Sequence, residues 1–423
     1  MLLDSGRPKA TTGRFDIVSS DPLATLAITS EGDTLFSSDT LTLPASLAND
    51  VTAQQQWLLE QLPDANEESE LPFLGGLMGY WSYDLGRDLA DIASQHPAAT
   101  HLPSLRVGLF DWCITLDHVN EQAWFVGSPA RREQVMAWLA APDAPVAPFK
   151  LTRRFSPELS QAAYTERFDA VQRYIRAGDC YQINLAQRFS ARYEGDEWQA
   201  YLQLREATPT PFSGFMAWGD HAVLSLSPER FIQSRDGLVE TRPIKGTRPR
   251  GKTPEEDRVL AEDLLKSTKD RAENLMIVDL LRNDLGRVCV PGSIRVPQLC
   301  QLESYPNVHH LVSVVQGHLA PQHSPLSLLT AAFPGGSITG APKIRAMQII
   351  DELEPCQRSV YCGSLGYIDV RGSMDTSIAI RTMVADRGDL HVWGGGGLVA
   401  DSQAGEEYTE TLDKIRHLIS ALE

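Results

Sequence analysis

This sequence predicts a chain of mixed strands and helices, arranged as two domains or as one large double-layered unit. Its 423 residues exceed what one small core organises. Apolar and polar residues alternate in many short runs bounded by turn residues, the pattern of half-buried strands. Between those runs lie capped segments with apolar residues at helical spacing. A content of 42% hydrophobic and 22% charged residues is that of a globular protein. The net charge of −17 argues against nucleic acid and anionic membranes, which need a basic footprint. The opening MLLDSGRPKA has no basic stretch ahead of an apolar core, and no apolar run approaches a membrane span. The six cysteines show no CxxC or metal-type spacing, so a reducing cytoplasm is the expected setting.

Taken in order, RFDIVSSDPLATLAI and DTLFSSDTLTL alternate as strands, and the acidic stretch from Glu60 to Glu70 reads as a surface loop. In LPFLGGLMGYWSYDLG, Gly75, Gly76 and Gly79 among aromatics predict a core strand with close backbone approach. Leu105 to Phe125 predicts a strand pair and Ala130 to Ala140 a short helix. The Pro-rich APDAPVAPF (141–149) marks a boundary between an N-terminal region, 1–145, and a larger region, 150–423. Tyr164, Phe168, Val171 and Ile175 recur at helical spacing, with Gly178 as the stop. Cys180 to Phe189 alternates as a strand whose polar face, Gln182 and Asn184, is either exposed or turned into a cavity. Strands follow through HAVLSLSPERFIQSRDGLVETRPIKGT, delivering Glu229 in a turn. Thr253-Pro254-Glu255-Glu256 predicts a helix start with a capping box, and a second helix begins near Ser267 and ends near Gly286. FPGGSITGAPKIRAMQII runs from a Gly-rich loop into a helix whose N-terminus suits an anion. YCGSLGYIDV and TSIAIRTMVA read as paired strands, the second ending at Arg381. Gly394 to Gly397 leave only backbone to meet a ligand, and a last helix covers Gln403 to Leu422.

The densest positive cluster is TRPIKGTRPRG, Thr241 to Gly251. By itself it reads as a solvated basic loop. Its functional reading is a nucleophilic lysine: Lys245 sits in a turn stiff at Pro243 and permissive at Gly246, and Arg242, Arg248 and Arg250 are expected to lower its pKa. Asp270 and Glu273 share one helix face, and Glu407, Glu410 and Lys414 share another. Such pairs serve equally as Mg²⁺ ligands or as solvated faces compensating helix dipoles. Of His309 and His310, either is structural or steadies a negative charge. A nucleotide site is excluded, since neither GxxxxGK[ST] nor a GxGxxG after a strand is present.

SPERF (227–231), PIKGTRPRG, AENLMIVDLLRNDLGRVC, FPGGSITGAPKIRAM, YCGSLGY, IAIRT and GGGLVADSQAGEEYTETLDK together resemble the chorismate-utilising enzymes: anthranilate, aminodeoxychorismate, isochorismate and salicylate synthases. The resemblance runs the length of the chain and is most specific over Tyr164 to Lys414. It implies an α+β fold of large stacked β-sheets flanked by helices, with chorismate in a central cleft. It further implies Mg²⁺ held directly by Glu273 and Glu410, with Asp270 and Glu407 assisting through water. Ser337, Tyr361, Arg381 and the backbone of Gly395, Gly396 and Gly397 resemble the substrate pocket, with Lys414 beside the metal. Glu229 resembles the general acid and His310 the family's active-site histidine. In anthranilate synthases alanine stands where this chain has Lys245, and in isochorismate and salicylate synthases a lysine stands where it has Gln182. With Lys at the first position and Gln at the second, the sequence is similar to component I of aminodeoxychorismate synthases, with Lys245 as the covalent nucleophile, in the 4-aminobenzoate branch of folate synthesis. The alternative within the family is anthranilate synthase component I; outside it, a non-catalytic amino-acid sensor. No amidotransferase domain is recognisable, so the resemblance implies a separate glutamine amidotransferase subunit as the ammonia source. Relatives carry a further segment ahead of Leu2-Leu3-Asp4-Ser5, so a first strand is expected to be missing. Ser5, Thr12, Gly13, Arg14, Phe15, Pro211, Phe212 and Ser213 match the family's tryptophan pocket.

Overall fold

The computed structural model describes residues 1–10, 12–63, 65, 69–142, 144–305 and 308–423. Among them the backbone is dominated by two antiparallel sheets of 11 strands each. The spatial order in the first is Gly340–Ala341, Gln182–Glu194, Asp389–Leu398, Thr382–Asp386, His221–Ser227, Phe212–Trp218, Leu2–Asp4, Phe15–Val18, Cys113–Asp117 and Gln122–Val126, with Lys150–Pro157 paired to Gln182–Glu194. In the second it is Ile244–Pro249, Val308–His318, Leu238–Thr241, Arg230–Arg235, Met374–Ile378, Ser364–Asp369, Gly76–Trp81, Leu105–Phe110, Ala24–Ile28 and Thr34–Ser37, with Arg295–Ser304 paired to Val308–His318.

Strands from before 145 and after 150 are neighbours in both sheets. Leu2–Asp4 lies between Phe15–Val18 and Phe212–Trp218, and Gly76–Trp81 between Leu105–Phe110 and Ser364–Asp369. The boundary expected at 141–149 therefore separates no independent sheet. The acidic loop expected over 60–70 falls partly outside the described residues.

Side-chain alternation supplies two cores. Along His221–Ser227, Val223 joins a large core drawn from both sheets, while Leu224 and Leu226 turn to the opposite face. There they pack with Leu204 of the helix Glu197–Ala207 and with Ile415 and Leu418 of the helix Ala404–Leu422. Glycine permits the closest strand contacts: a β-carbon on Gly79 would fall 2.1 Å from the Arg106 carbonyl oxygen. The helix Gln161–Ala177 buries Tyr164, Phe168 and Val171 and ends at Gly178 with φ 83°. Thr253 caps Pro254–Lys266 by accepting from Glu256 N–H, but the Glu256 carboxylate accepts from Lys252 N–H instead of returning to Thr253. The expected reciprocal capping box is thus half formed.

Two crossings between the sheets lie side by side. The chain leaves the first sheet at Ser227, passes Pro228 and Glu229, and enters the second at Arg230. It returns from Ile378 through Ala379 to Arg381 and enters Thr382–Asp386. The strand expected to end at Arg381 ends at Ile378, and a separate strand in the other sheet begins at Thr382. The break is at Arg381, whose φ of 50° is left-handed and incompatible with continued extension. The crossings hold each other: Leu226 N–H donates to Arg381 O and Ile378 N–H to Glu229 O, both at 3.0 Å. Ser227 Oγ donates to Ile378 O at 2.6 Å.

Candidate active site

Glu229 and Arg381 sit on those crossings, and Lys245 reaches them from the edge strand Ile244–Pro249. The stretch expected as a turn is a strand with an irregularity between Ile244 and Thr247, where Gly246 takes φ 82°. The half-buried Lys245 Nζ lies 3.5 Å from the Ser337 carbonyl oxygen, and Ser337 Oγ donates to Glu229 Oε1 at 3.2 Å. Burial holds the Lys245 amine below the ordinary lysine range, helped by the Lys414 charge and opposed by Glu273 and Glu229. The three arginines are not the cause. Arg242 pairs with Glu303, Arg248 with Asp263 and Asp270, and Arg250 with Asp257, so their charges are neutralised locally. Burial pushes the Glu229 carboxyl up to about 7, against the opposing pull of Lys245 and the Ser337 hydroxyl. A carboxyl so placed still carries its proton near neutrality, as a general acid must.

The glycine run forms the floor. In Asp389–Leu398, Gly397 opposes Asn184 and Gly395 opposes Ala186. A β-carbon on Gly397 would lie 2.8 Å from Gln182 Nε2 and 3.6 Å from Lys245 Nζ, and one on Gly395 would lie 2.9 Å from the Tyr361 hydroxyl. Bare backbone thus lets an amide, an amine and a phenol converge. Gln182 is fully buried, and neither amide atom has a hydrogen-bond partner among the described residues. Of the two readings of its strand face, the buried one holds. Tyr361 stacks on Trp393 at 6.0 Å and 7°.

The Arg381 guanidinium makes no hydrogen bond or ion pair among the described residues, although its field reaches Glu229, His310 and His417. A largely buried cation without a protein partner is a site for an anion. Burial and the Arg381 charge hold both His310 and His417 down to about 4, hence neutral at physiological pH. His310 Nδ1 lies 2.9 Å from Thr247 Oγ1. His417 escaped the sequence reading; the signal was its place one turn beyond Lys414 on the stripe of Glu407 and Glu410.

Lys414 Nζ bridges Glu410 Oε1 at 2.6 Å and the Gly395 carbonyl oxygen at 2.8 Å. A β-carbon on Gly396 would meet Glu407 Oε2 at 2.9 Å and Glu410 Oε1 at 3.3 Å, and that Glu407 oxygen is buried without a partner. Burial raises Glu407 and also Glu273, which feels both Lys245 and Glu410. Burial acts on Glu410 in the same direction, but Lys414 and Lys245 outweigh it and hold this carboxyl below its ordinary value. Asp270 accepts from Arg248 Nη2 at 3.3 Å. Among the described residues no three acidic, His or Cys side chains close on one point. The arrangement fits Mg²⁺, which takes one or two carboxylates and leaves its other positions to water and substrate oxygens. An orphaned, buried carboxylate oxygen is the group such an ion would satisfy.

Elsewhere, Ser5, Thr12, Gly13, Arg14, Phe15, Pro211, Phe212 and Ser213 line one cavity of about 1150 Å³. Pro228 and Ile244, the neighbours of Glu229 and Lys245 in the chain, form part of its wall. Ser5 Oγ donates to Asp16 Oδ1 at 2.6 Å, and Arg14 is paired with Asp117 at 2.8 Å.

The family of chorismate binding enzymes matches this chain over residues 3–420. Aminodeoxychorismate synthase component 1 of Klebsiella aerogenes is 49% identical over 100% of this chain and 93% of its own length. Anthranilate synthase component 1 of Thermus thermophilus is 40% identical over 86% of this chain and 80% of its own. The crystal structure of anthranilate synthase component I from Streptococcus pneumoniae TIGR4 superposes with a TM-score of 0.85 at 31% identity, covering 97% of this chain and 93% of that one.

Proposed function

The chain belongs to the chorismate binding enzymes, and we propose that it is the amination subunit of an aminodeoxychorismate synthase, converting chorismate and ammonia to 4-amino-4-deoxychorismate. The observation that carries this reading is the contact chain Lys245–Ser337–Glu229, a deprotonatable amine and a protonated carboxyl on either side of one serine. Lys245, with its pKa lowered by burial, attacks ring carbon 2 while the ring double bonds shift and the carbon-4 hydroxyl leaves. Glu229 gives that hydroxyl its proton, so it departs as water. Ammonia then adds at carbon 4, the double bonds shift back, and Lys245 leaves carbon 2 as a free amine. The unpaired Arg381, with Tyr361, Ser337 and the backbone of Gly395 to Gly397, binds substrate carboxylate, and neutral His310 adds no competing charge. Glu273 and Glu410, assisted by Asp270 and Glu407, would hold Mg²⁺, which when bound supplies positive charge for the ring carboxylate. Lys245 disfavours the anthranilate reading, because that branch has no lysine nucleophile there.

Ammonia comes from a separate glutamine amidotransferase subunit, and the product feeds 4-aminobenzoate and folate synthesis. Six buried, free cysteines suit a cytoplasmic setting, and among the described residues no helix is long and apolar enough to cross a membrane. The cavity beside Ser5 is the place for a tryptophan-like amino acid.

The test is a product assay with purified chain, chorismate, Mg²⁺ and ammonium at alkaline pH. Aminodeoxychorismate is expected, with most of it lost in Lys245→Ala. Anthranilate or isochorismate as product, or full activity in Lys245→Ala, overturns the reading.

A further inference from the structure

The strand Gln182–Glu194 has a gap along its outer edge. Gly340–Ala341 pairs with it at Gln182 and Ile183, Asn184 N–H donates to Thr339 O, and Lys150–Pro157 takes over from Phe189. Between these, the carbonyl of Asn184 and the N–H of Ala186 meet no strand. A side-chain ion pair stands in its place. Arg358 Nη2 donates to Asn184 O at 2.6 Å, and Glu354 Oε1 accepts from Ala186 N–H at 2.8 Å. The two side chains lock to each other through Arg358 Nε to Glu354 Oε2 at 2.8 Å and Nη2 to Oε1 at 2.6 Å. Arg358 Nη1 also donates to Ile338 O at 2.9 Å, and the guanidinium lies over the rings of Tyr83 and Tyr361 at 4.7 and 5.8 Å. Arg358 is 1% exposed, among the largest fully buried side chains of the molecule.

A core ion pair of this kind is a poor device for stability alone, because desolvating both charges offsets most of their attraction. What distinguishes it is where its other bonds end. Asn184 and Ala186 oppose Gly397 and Gly395 across the ladder. Ile338 follows Ser337, which touches both Glu229 and Lys245. Tyr361 reaches the Gly395 position. We propose that Glu354 and Arg358 are positioning residues for the amination: the pair sets the spacing between the glycine-backed strand and the Ser337 loop at which nucleophile, acid and substrate ring meet. This rests on the reading of the site given above.

The experiment is a double-mutant cycle in ammonia-dependent amination, run well below each variant's unfolding midpoint. Glu354→Gln keeps the shape of the side chain but places an amide donor against the donors of Ala186 or Arg358. In the parent chain it is expected to lower kcat/KM for chorismate by roughly tenfold or more, since small displacements of reacting groups are costly. In a Ser337→Ala background the same change should cost less than about threefold, because the pair acts through the Ser337 loop. Arg358→Lys, which keeps the charge and loses the fork, should show the same non-additivity and serves if Glu354→Gln does not fold. Equal losses in both backgrounds, unchanged kcat/KM in folded variants, or failure of both variants to fold overturns the proposal in favour of a purely structural pair. A parent chain that does not aminate chorismate overturns the functional reading instead, which the same assay distinguishes.

Discussion

Replacing Gly396 with alanine tests whether the helix carboxylates hold a metal. The added β-carbon would lie 2.9 Å from Glu407 Oε2 and 3.3 Å from Glu410 Oε1. Both obstructing atoms are the far ends of flexible side chains, so the fold can yield by turning the carboxylates aside. Mg²⁺ cannot yield in the same way, because it demands near-ideal geometry at about 2.0–2.1 Å. The crowding, typically about 1–3 kcal/mol for an added methyl group, therefore falls on the bound state more than on the empty protein. At 1.4 kcal/mol per tenfold, the half-saturating Mg²⁺ concentration should rise about 5- to 150-fold. Two measurements read this: the Mg²⁺ dependence of amination, and the rise in unfolding midpoint that Mg²⁺ produces, which should shrink at a given concentration. On the same helix, Gly405→Ala meets nothing within 4 Å; it should leave both readouts unchanged and add up to about 1 kcal/mol of stability. Parent-like Mg²⁺ dependence and midpoint shift in Gly396→Ala would refute the placing of the metal at these carboxylates.

Three further outcomes follow from the same geometry. Because burial keeps Glu229 protonated up to about 7, kcat/KM for chorismate at saturating ammonia should fall as pH rises through that value; Glu229→Gln should abolish this limb and cost about 10²- to 10⁴-fold in kcat. Lys343 Nζ donates to Asp284 Oδ2 at 2.6 Å in a buried pair, so Asp284→Asn should lower stability by about 3–5 kcal/mol in chemical denaturation while Asp279→Asn, on the exposed face of the same helix, changes it by less than about 0.5 kcal/mol. Arg381→Lys should raise KM for chorismate at least about tenfold, since a single ammonium cannot reproduce a forked grip on carboxylate, and a KM unchanged in steady-state assays would remove Arg381 from the substrate pocket.

Motifs were more legible in the sequence than topology. Lys245 and the glycine run stand out in short runs with their own turn chemistry, whereas Glu229 and Arg381 gain a role only from the family resemblance; the structure gathers all of them. Their surroundings were not local facts. Arg242 looked like a neighbour able to depress Lys245, but its partner Glu303 comes from a distant strand that no spacing rule reveals. The change of sheet within TSIAIRTMVA is not legible, since a single left-handed residue at Arg381 leaves no mark on the periodicity. The Glu354–Arg358 pair has no local signature beyond its i, i+4 spacing; only the missing strand beside Asn184 gives it meaning. The expected boundary failed for the same reason: APDAPVAPF is irregular where described, but local composition says nothing about which strand pairs with which.

The interleaving of early and late strands also sets a timetable for synthesis. Leu2–Asp4 waits for Phe212–Trp218, and Gly76–Trp81 lacks a partner on one side until Ser364–Asp369 has been made. For most of translation the nascent chain carries open sheet edges, the condition under which chains associate wrongly and chaperones are engaged. Glu407 and Glu410 arrive later still, on the closing helix. A polypeptide released before Ser364–Asp369 therefore exposes adhesive edges and lacks two of its four candidate metal carboxylates, so such a fragment is material for degradation and never a slower enzyme.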